Sequence, residues 1–143
     1  MPGRGIVLTT DGHNLFEYAD LLAVALKGHP DVRIVLSTSW VRTIGFKKSK
    51  ARLPTCLQER VIGSCWHSNL DQHYWNTLTR YEQISMYVNR HQVRNWLAID
   101  DDDYKWPDNK RQHLIQTDEQ GGLGRTAGAL DNLQLKLKYL KAG

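Results

Sequence analysis

Short apolar runs alternate along the chain with longer segments whose apolar residues recur at helical spacing. The candidate strands are the runs at residues 6–8, 32–38, 60–63, 96–99 and 113–117. Runs of this length are typical of buried strands, and most of them are followed by enough residues to form a helix. Strands that alternate with helices predict an α/β fold, in which helices flank a mostly parallel sheet.

Capping signals and apolar stripes predict the helices between these strands. The first helix begins at the capping-box-like pattern Asn14–Glu17 and ends at Gly28, and a second begins at the capping box Thr79–Glu82. Residues 45–54 predict a basic loop or short helix, and residues 64–78 predict a loop because their aromatic residues show no period. The closing helix is marked by Leu130, Leu133, Leu137 and Leu140.

Composition narrows the class of protein. The 143 residues are 41% hydrophobic and 24% charged, which predicts one soluble globular domain over residues 1–143. Two cysteines, Cys56 and Cys65, are too few and wrongly spaced for a disulfide scaffold or a zinc knuckle. No apolar stretch approaches the roughly 18 residues that span a membrane. We therefore expect a cytoplasmic protein without a membrane partner.

Three candidate strands end in polar residues: Ser37-Thr38, Asp100-Asp101 and Thr117-Asp118. In doubly wound sheets, ligands bind beyond the carboxyl ends of the strands. Four adjacent carboxylates, Asp100 to Asp103, repel one another unless solvent or a cation relieves them, and Mg²⁺ prefers one or two carboxylates. The acidic run is therefore either part of a magnesium site or a solvated acidic turn.

Other polar and aromatic residues have two interpretations each. The hydroxyls of Ser37 and Thr38 bind a phosphate or cap a strand end. Arg80 neutralises a phosphate or is solvated. The basic run Lys47–Arg52 contacts a polyanion or forms a wet face. A set of aromatic residues either stacks on bases or packs against the core; it comprises Trp66, Tyr74, Trp75 and Tyr81.

Taken in order, these pieces resemble the haloacid dehalogenase-like (HAD) superfamily, and more closely the HAD-like domains of Swiss Army Knife RNA repair proteins. The similar stretches lie between residues 13 and 125, at 31–41, 60–63, 79–84, 96–102 and 121–124. The resemblance implies a Rossmann-like domain whose phosphate-binding residues are Ser37, Thr38 and Arg80. It also implies that Asp100 and Asp101 bind Mg²⁺, and that the ligand is a phosphorylated small molecule or nucleic-acid end.

The first strand departs from the pattern of this superfamily. There the strand ends in an Asp-x-Asp pair, in which the first Asp attacks phosphorus and the second acts as general acid and base. Here the sequence reads Thr9-Thr10-Asp11-Gly12, so threonine stands in the place of the nucleophile and Asp11 in that of the general acid. Alternatively, residues 6–13 correspond to a later segment, and the chain lacks the true first strand.

Three functions are compatible with these residues. The first is a degenerate or truncated HAD-type phosphohydrolase that keeps a phosphate- and Mg²⁺-binding crevice; an active form would be a Mg²⁺-dependent phosphatase. The second is a module that binds a phosphate or RNA end without turnover. The third is a protein-interaction module that uses the aromatic segment 64–81.

Overall fold

Five parallel strands form one sheet with helices packed on both faces in the computed structural model. The structure describes residues 5–9, 12–37, 45–65, 72–100, 103–117 and 128–142. The strands are β1 (Ile6–Thr9), β2 (Arg33–Leu36), β3 (Val61–Ser64), β4 (Trp96–Asp100) and β5 (Leu114–Gln116). The helices are α1 (Gly12–Leu26), α2 (Phe46–Ala51), α3 (Thr55–Gln58), α4 (Gln72–Thr77), α5 (Arg80–Arg90) and α6 (Ala129–Ala142), with a 3₁₀ helix at Asp108–His113. The predicted α/β class and parallel sheet are confirmed.

The central strand of the sheet is β1, within the order β3-β2-β1-β4-β5. It pairs with β2 and β4, so that its last residue, Thr9, lies in register with Leu36 and Ile99. The chain runs outward from β1 through β2 and β3, and then crosses β1 to form β4 and β5. Strand order therefore reverses between β1 and β4, and in such sheets ligands bind beyond the carboxyl ends of the strands at this point.

Both faces of the sheet are buried. Alternate residues of a strand point to opposite faces. On one face, Val7 and Ile99 pack in a cluster with residues of α1, α3 and α6. On the other, Leu8 packs with Trp75 of α4 and Ile84 of α5. Burial on both sides explains why the strands read as continuous apolar runs rather than as alternating ones.

The loop predicted for residues 64–78 was wrong over residues 72–77, because these residues form α4. Trp75 anchors this helix in the core and is 6% exposed. A helix of six residues with one buried anchor has no apolar stripe long enough to produce a period. For the basic segment, α2 confirms the short-helix alternative, and α3 was not predicted. Within the described ranges, no helix combines the length and the apolar character needed to cross a membrane.

The start of α5 is fixed by the predicted capping box. Thr79 Oγ1 accepts a hydrogen bond of 3.2 Å from the Glu82 backbone N–H, and Glu82 Oε1 accepts one of 2.8 Å from the Thr79 backbone N–H. Two N–H groups at the helix start are thereby satisfied. The capping box makes Arg80 the first residue of α5. In contrast, α1 begins at Gly12, two residues before the predicted Asn14.

His113 packs against the beginning of β4. Its ring stacks on Trp96, with centroids 4.0 Å apart and planes 4° from parallel. His113 Nδ1 lies 2.8 Å from the Trp96 carbonyl oxygen, and because a carbonyl only accepts, Nδ1 carries the proton. Burial lowers the pKa of His113; the hydrogen bond to Trp96 opposes this shift, and the charges of Lys110 and Lys136 add to it.

We expect the free energy of unfolding to decrease as the pH is lowered through the titration range of His113. The pKa of His113 is lower in the folded protein than in the unfolded chain, where it is about 6.5. The unfolded chain therefore binds the proton first, and the contribution to stability, complete above about pH 6.5, is lost as the pH falls toward the folded pKa. Urea unfolding at stepped pH measures this slope. His113→Gln should flatten it, and an unchanged slope in that variant would contradict the assignment.

Candidate functional site

Polar side chains from three strand ends meet on one side of the sheet. Residues two apart in a strand point to the same face of the sheet, so Ser37 shares the face of Val35, and Asp100 shares that of Ala98. Val35 and Ala98 both pack in the cluster that includes α4 and α5. Cys65 directly follows β3 and belongs to the same cluster. Ser37 and Asp100 thus lie at the carboxyl edge of the sheet, on the side where α5 begins.

Arg80 connects two of these strand ends. Its Nε lies 3.5 Å from Asp100 Oδ2, which makes the contact an ion pair rather than a short hydrogen bond. Its Nη1 donates to the backbone oxygen of Ser37 at 3.3 Å. The helix dipole disfavours a cation in a first turn, so these two contacts, rather than the helix, stabilise Arg80 there.

The Arg80 side chain is only partly buried. It is 27% exposed, whereas that of Asp100 is fully buried. A guanidinium carries five N–H donors, and its contacts to described residues engage only two of its three nitrogens. Arg80 therefore has N–H groups for an anionic ligand while it keeps its contacts with the protein.

Two of the four consecutive aspartates, Asp100 and Asp103, are among the described residues, and their surroundings differ. Asp100 is inside the strand and 0% exposed, so the interpretation as a solvated turn does not apply to it. Asp103 is 40% exposed and pairs with Arg111, whose Nη2 lies 3.1 Å from Asp103 Oδ2. A buried carboxylate is costly unless a charge pairs with it, and Arg80 supplies that charge for Asp100.

Ser37, whose backbone oxygen accepts the hydrogen bond from Arg80, also has a buried hydroxyl. Ser37 is 6% exposed, and its Oγ makes no full hydrogen bond to any described residue. It lies close enough to the Cys65 thiol to stabilise the thiolate weakly. A buried hydroxyl without a firm partner costs roughly 1–3 kcal/mol. An acceptor supplied by a ligand would remove this cost.

Cys65 also belongs to the candidate site, although the sequence analysis did not predict it there. Burial raises the pKa of its thiol to about 12, although the Ser37 side chain and the charge of Arg80 act in the opposite direction. The thiol is therefore protonated at neutral pH and is a poor nucleophile. Its position directly after β3, equivalent to that of Ser37 after β2, was the signal that could have identified it.

The remaining predicted site residues are Asp11, Thr38 and Asp101, and all three lie outside the described residues. Thr9, in contrast, is the last residue of the central strand, and its backbone is in register with β2 and β4. The threonine that stands in the place of a nucleophile is thus at the point where strand order reverses.

The aromatic and basic segments are divided between surface and core. Tyr74 is 57% exposed, but Trp75 is buried, and Tyr81 packs edge-on against the buried Trp106 with ring centroids 5.1 Å apart. The aromatic residues are therefore not one exposed stacking surface. In α2, Lys47 and its neighbour Lys48 are exposed, as expected for a solvated face.

Two open grooves lie at the opposite, amino edge of the sheet. One, of about 580 Å³, is lined by residues that include Arg33 and Arg60; the other, of about 400 Å³, is lined by residues that include Trp96 and His113. Arg60 and His113 already bind backbone carbonyls within the fold. The position and these internal contacts favour structural roles for the groove residues over ligand binding.

The central β1 and the reversal of strand order beside it define a Rossmann-like α/β domain, and the polar carboxyl edge is its candidate site. The chain matches, over residues 4–127, the family described as the HAD domain in Swiss Army Knife RNA repair proteins. It therefore belongs to this family. No curated protein and no solved structure gives a significant match.

Domains of the HAD superfamily generally use Mg²⁺, but the described side chains do not fit such a site. Asp100 is fully buried, and its Oδ2 faces Arg80 Nε at 3.5 Å. Within the described ranges, no three His, Cys, Asp or Glu side chains are grouped as metal ligands. At the end of β1, the sequence provides Thr9 in place of a carboxylate. The described residues thus offer one carboxylate, and a guanidinium already pairs with it.

Proposed function

We propose that this chain recognises the terminal phosphate of a nucleic-acid end without hydrolysing it. One observation carries the proposal: at the carboxyl edge, the partly exposed Arg80 side chain donates to the backbone oxygen of Ser37, whose buried hydroxyl lacks a firm partner. A hydroxyl and a guanidinium are suitable donors for a phosphate dianion. Membership of a family of RNA repair domains supports an RNA end as the ligand.

The absence of turnover is supported by the residue at the end of β1. We take β1 to be the first strand of the family, because it occupies the centre of the sheet and the family match begins at residue 4. Thr9 then occupies the place of the nucleophile. A threonine hydroxyl is a weak nucleophile unless an adjacent base activates it. Cys65 is no replacement, because its thiol is protonated.

The alternative of a protein-interaction module has less support. It depended on an exposed set of aromatic residues in the segment 64–81. Trp75 is in the core, and Tyr81 packs against Trp106. Trp75 and Tyr81 therefore stabilise the fold, whereas Tyr74 is exposed and Trp66 lies outside the described residues.

We expect Ser37→Ala to weaken binding of a short 5′-phosphorylated RNA by about tenfold or more, because a hydrogen bond to a charged group contributes roughly 1.5–3 kcal/mol. Fluorescence anisotropy measures this affinity, with and without millimolar Mg²⁺. Ser49→Ala is the matched control, since Ser49 is also buried and its Oγ also has no hydrogen-bond partner among described residues. An equal loss of affinity in both variants, or no loss in either, would contradict the proposed role of Ser37.

A further inference from the structure

We infer that Arg80 is the resident counter-cation of Asp100, so that this site binds a phosphate monoester without Mg²⁺. The phosphate ligand rests on the proposed function, whereas the pairing of Arg80 with Asp100 rests on the structure. Arg80 then has two tasks: it neutralises the buried carboxylate through Nε, and it offers other N–H groups to the phosphate.

The charges of the described site are balanced without a metal. In the superfamily pattern, the first strand ends in an Asp-x-Asp pair. Together with the carboxylate of β4, this pair presents several negative charges, which a divalent cation neutralises. Here Thr9 removes one of them. The described site is left with one buried carboxylate, Asp100, and one guanidinium, Arg80. Among the described residues, one positive charge thus balances one negative charge, and the buried Asp100 carboxylate itself gains little from a divalent cation.

The geometry explains why Arg80 holds this place. The capping box of Thr79 and Glu82 fixes the first turn of α5, and the hydrogen bond from Nη1 to the Ser37 oxygen fixes the guanidinium. Arg80 Nε lies 3.5 Å from Asp100 Oδ2, so a Mg²⁺ ion bound to that oxygen would be repelled by the positive charge of the guanidinium. Magnesium binding therefore competes with the contact that the fold already makes.

Arg80→Gln tests this pairing without any phosphate ligand. Glutamine keeps an N–H donor but removes the charge, so Asp100 is left buried without its counter-charge. We expect the Tm of Arg80→Gln to fall by about 5 °C in EDTA and to recover by a few degrees, saturably, in Mg²⁺ at matched ionic strength. The wild-type Tm should not respond to Mg²⁺. Arg80→Lys, which keeps the charge, should not respond either.

The double variant Arg80→Gln with Asp100→Asn is the control, and its Tm should be insensitive to Mg²⁺ because neither charge of the pair remains. A wild-type Tm that rises with Mg²⁺ as much as that of Arg80→Gln would overturn the inference, as would an Arg80→Gln variant that does not respond.

If Arg80→Gln does not fold, the effect of inorganic phosphate on the Tm of the wild-type chain tests the inference instead. A wild-type Tm shift that is equal in EDTA and Mg²⁺ supports the inference, and one that requires Mg²⁺ overturns it. No shift in either condition would contradict the proposed function alone, and the wild-type response to Mg²⁺ would then still decide the inference.

Discussion

Replacing Arg60 with methionine is expected to lower the free energy of unfolding by about 2–3 kcal/mol. Arg60 Nη1 donates to the carbonyl oxygens of His29 at 2.8 Å and Val32 at 2.9 Å, and Nη2 donates to that of Leu26 at 2.8 Å. One guanidinium thus ties the end of α1 and the turn after it to the start of β3. Hydrogen bonds from a charged donor are stronger than neutral ones, and three act together here. Urea unfolding measures the loss.

Two further variants separate the hydrogen bonds of Arg60 from its charge. Arg60→Lys keeps the positive charge but cannot reach three carbonyls, so it should lose about half as much stability. Arg33→Met is the matched control, because Arg33 makes an exposed hydrogen bond to Pro30 in the same turn, and we expect a loss below about 0.5 kcal/mol. Equal losses in Arg60→Met and Arg33→Met would show that Arg60 has no special role.

The second large effect concerns turnover. We expect the wild-type chain to hydrolyse a generic phosphomonoester no faster than background, and Thr9→Asp to raise the rate by about a hundredfold or more, or about 2.7 kcal/mol of activation free energy. The substitution restores a carboxylate at the end of the central strand, where strand order reverses. It also adds the second negative charge that makes a divalent cation favourable, so the new activity should require Mg²⁺. Release of inorganic phosphate measures the rate.

The control for this gain of activity is Thr9→Asn, which has a similar size but no nucleophilic carboxylate. It should remain at background. Asp100→Asn in the Thr9→Asp chain should abolish the new activity, because it removes a carboxylate at the adjacent strand end. Wild-type turnover as fast as that of Thr9→Asp would contradict the claim that the nucleophile is missing. A silent Thr9→Asp would contradict the placement of Thr9 at the position of the nucleophile.

Features set by local sequence were predictable. Apolar runs of strand length identified all five strands, and the spacing of Thr79 and Glu82 identified the start of α5. The meeting of Ser37 and Asp100 followed from a general property of parallel sheets, since residues just after the strands share one edge. These predictions needed only periodicity and position.

Features set by tertiary packing were not predictable. The short α4 exists because Trp75 is buried against the core, and six residues carry too little periodicity to reveal it. The pairing of Arg80 with Asp100 depends on how the start of α5 sits over the end of β4, twenty residues later in the chain. Cys65 was missed because a single cysteine after a strand resembles an ordinary core residue.

The most direct test of the central claim compares one short RNA carrying either a 5′-phosphate or a 5′-hydroxyl. Affinity for the wild-type chain and release of inorganic phosphate are measured in the same samples. We predict that the phosphorylated RNA binds at least about tenfold more tightly, because Ser37 and Arg80 both donate to the phosphate, and that the phosphate remains attached. Equal affinity for the two ends, or release of the phosphate at an enzymatic rate, would contradict the account.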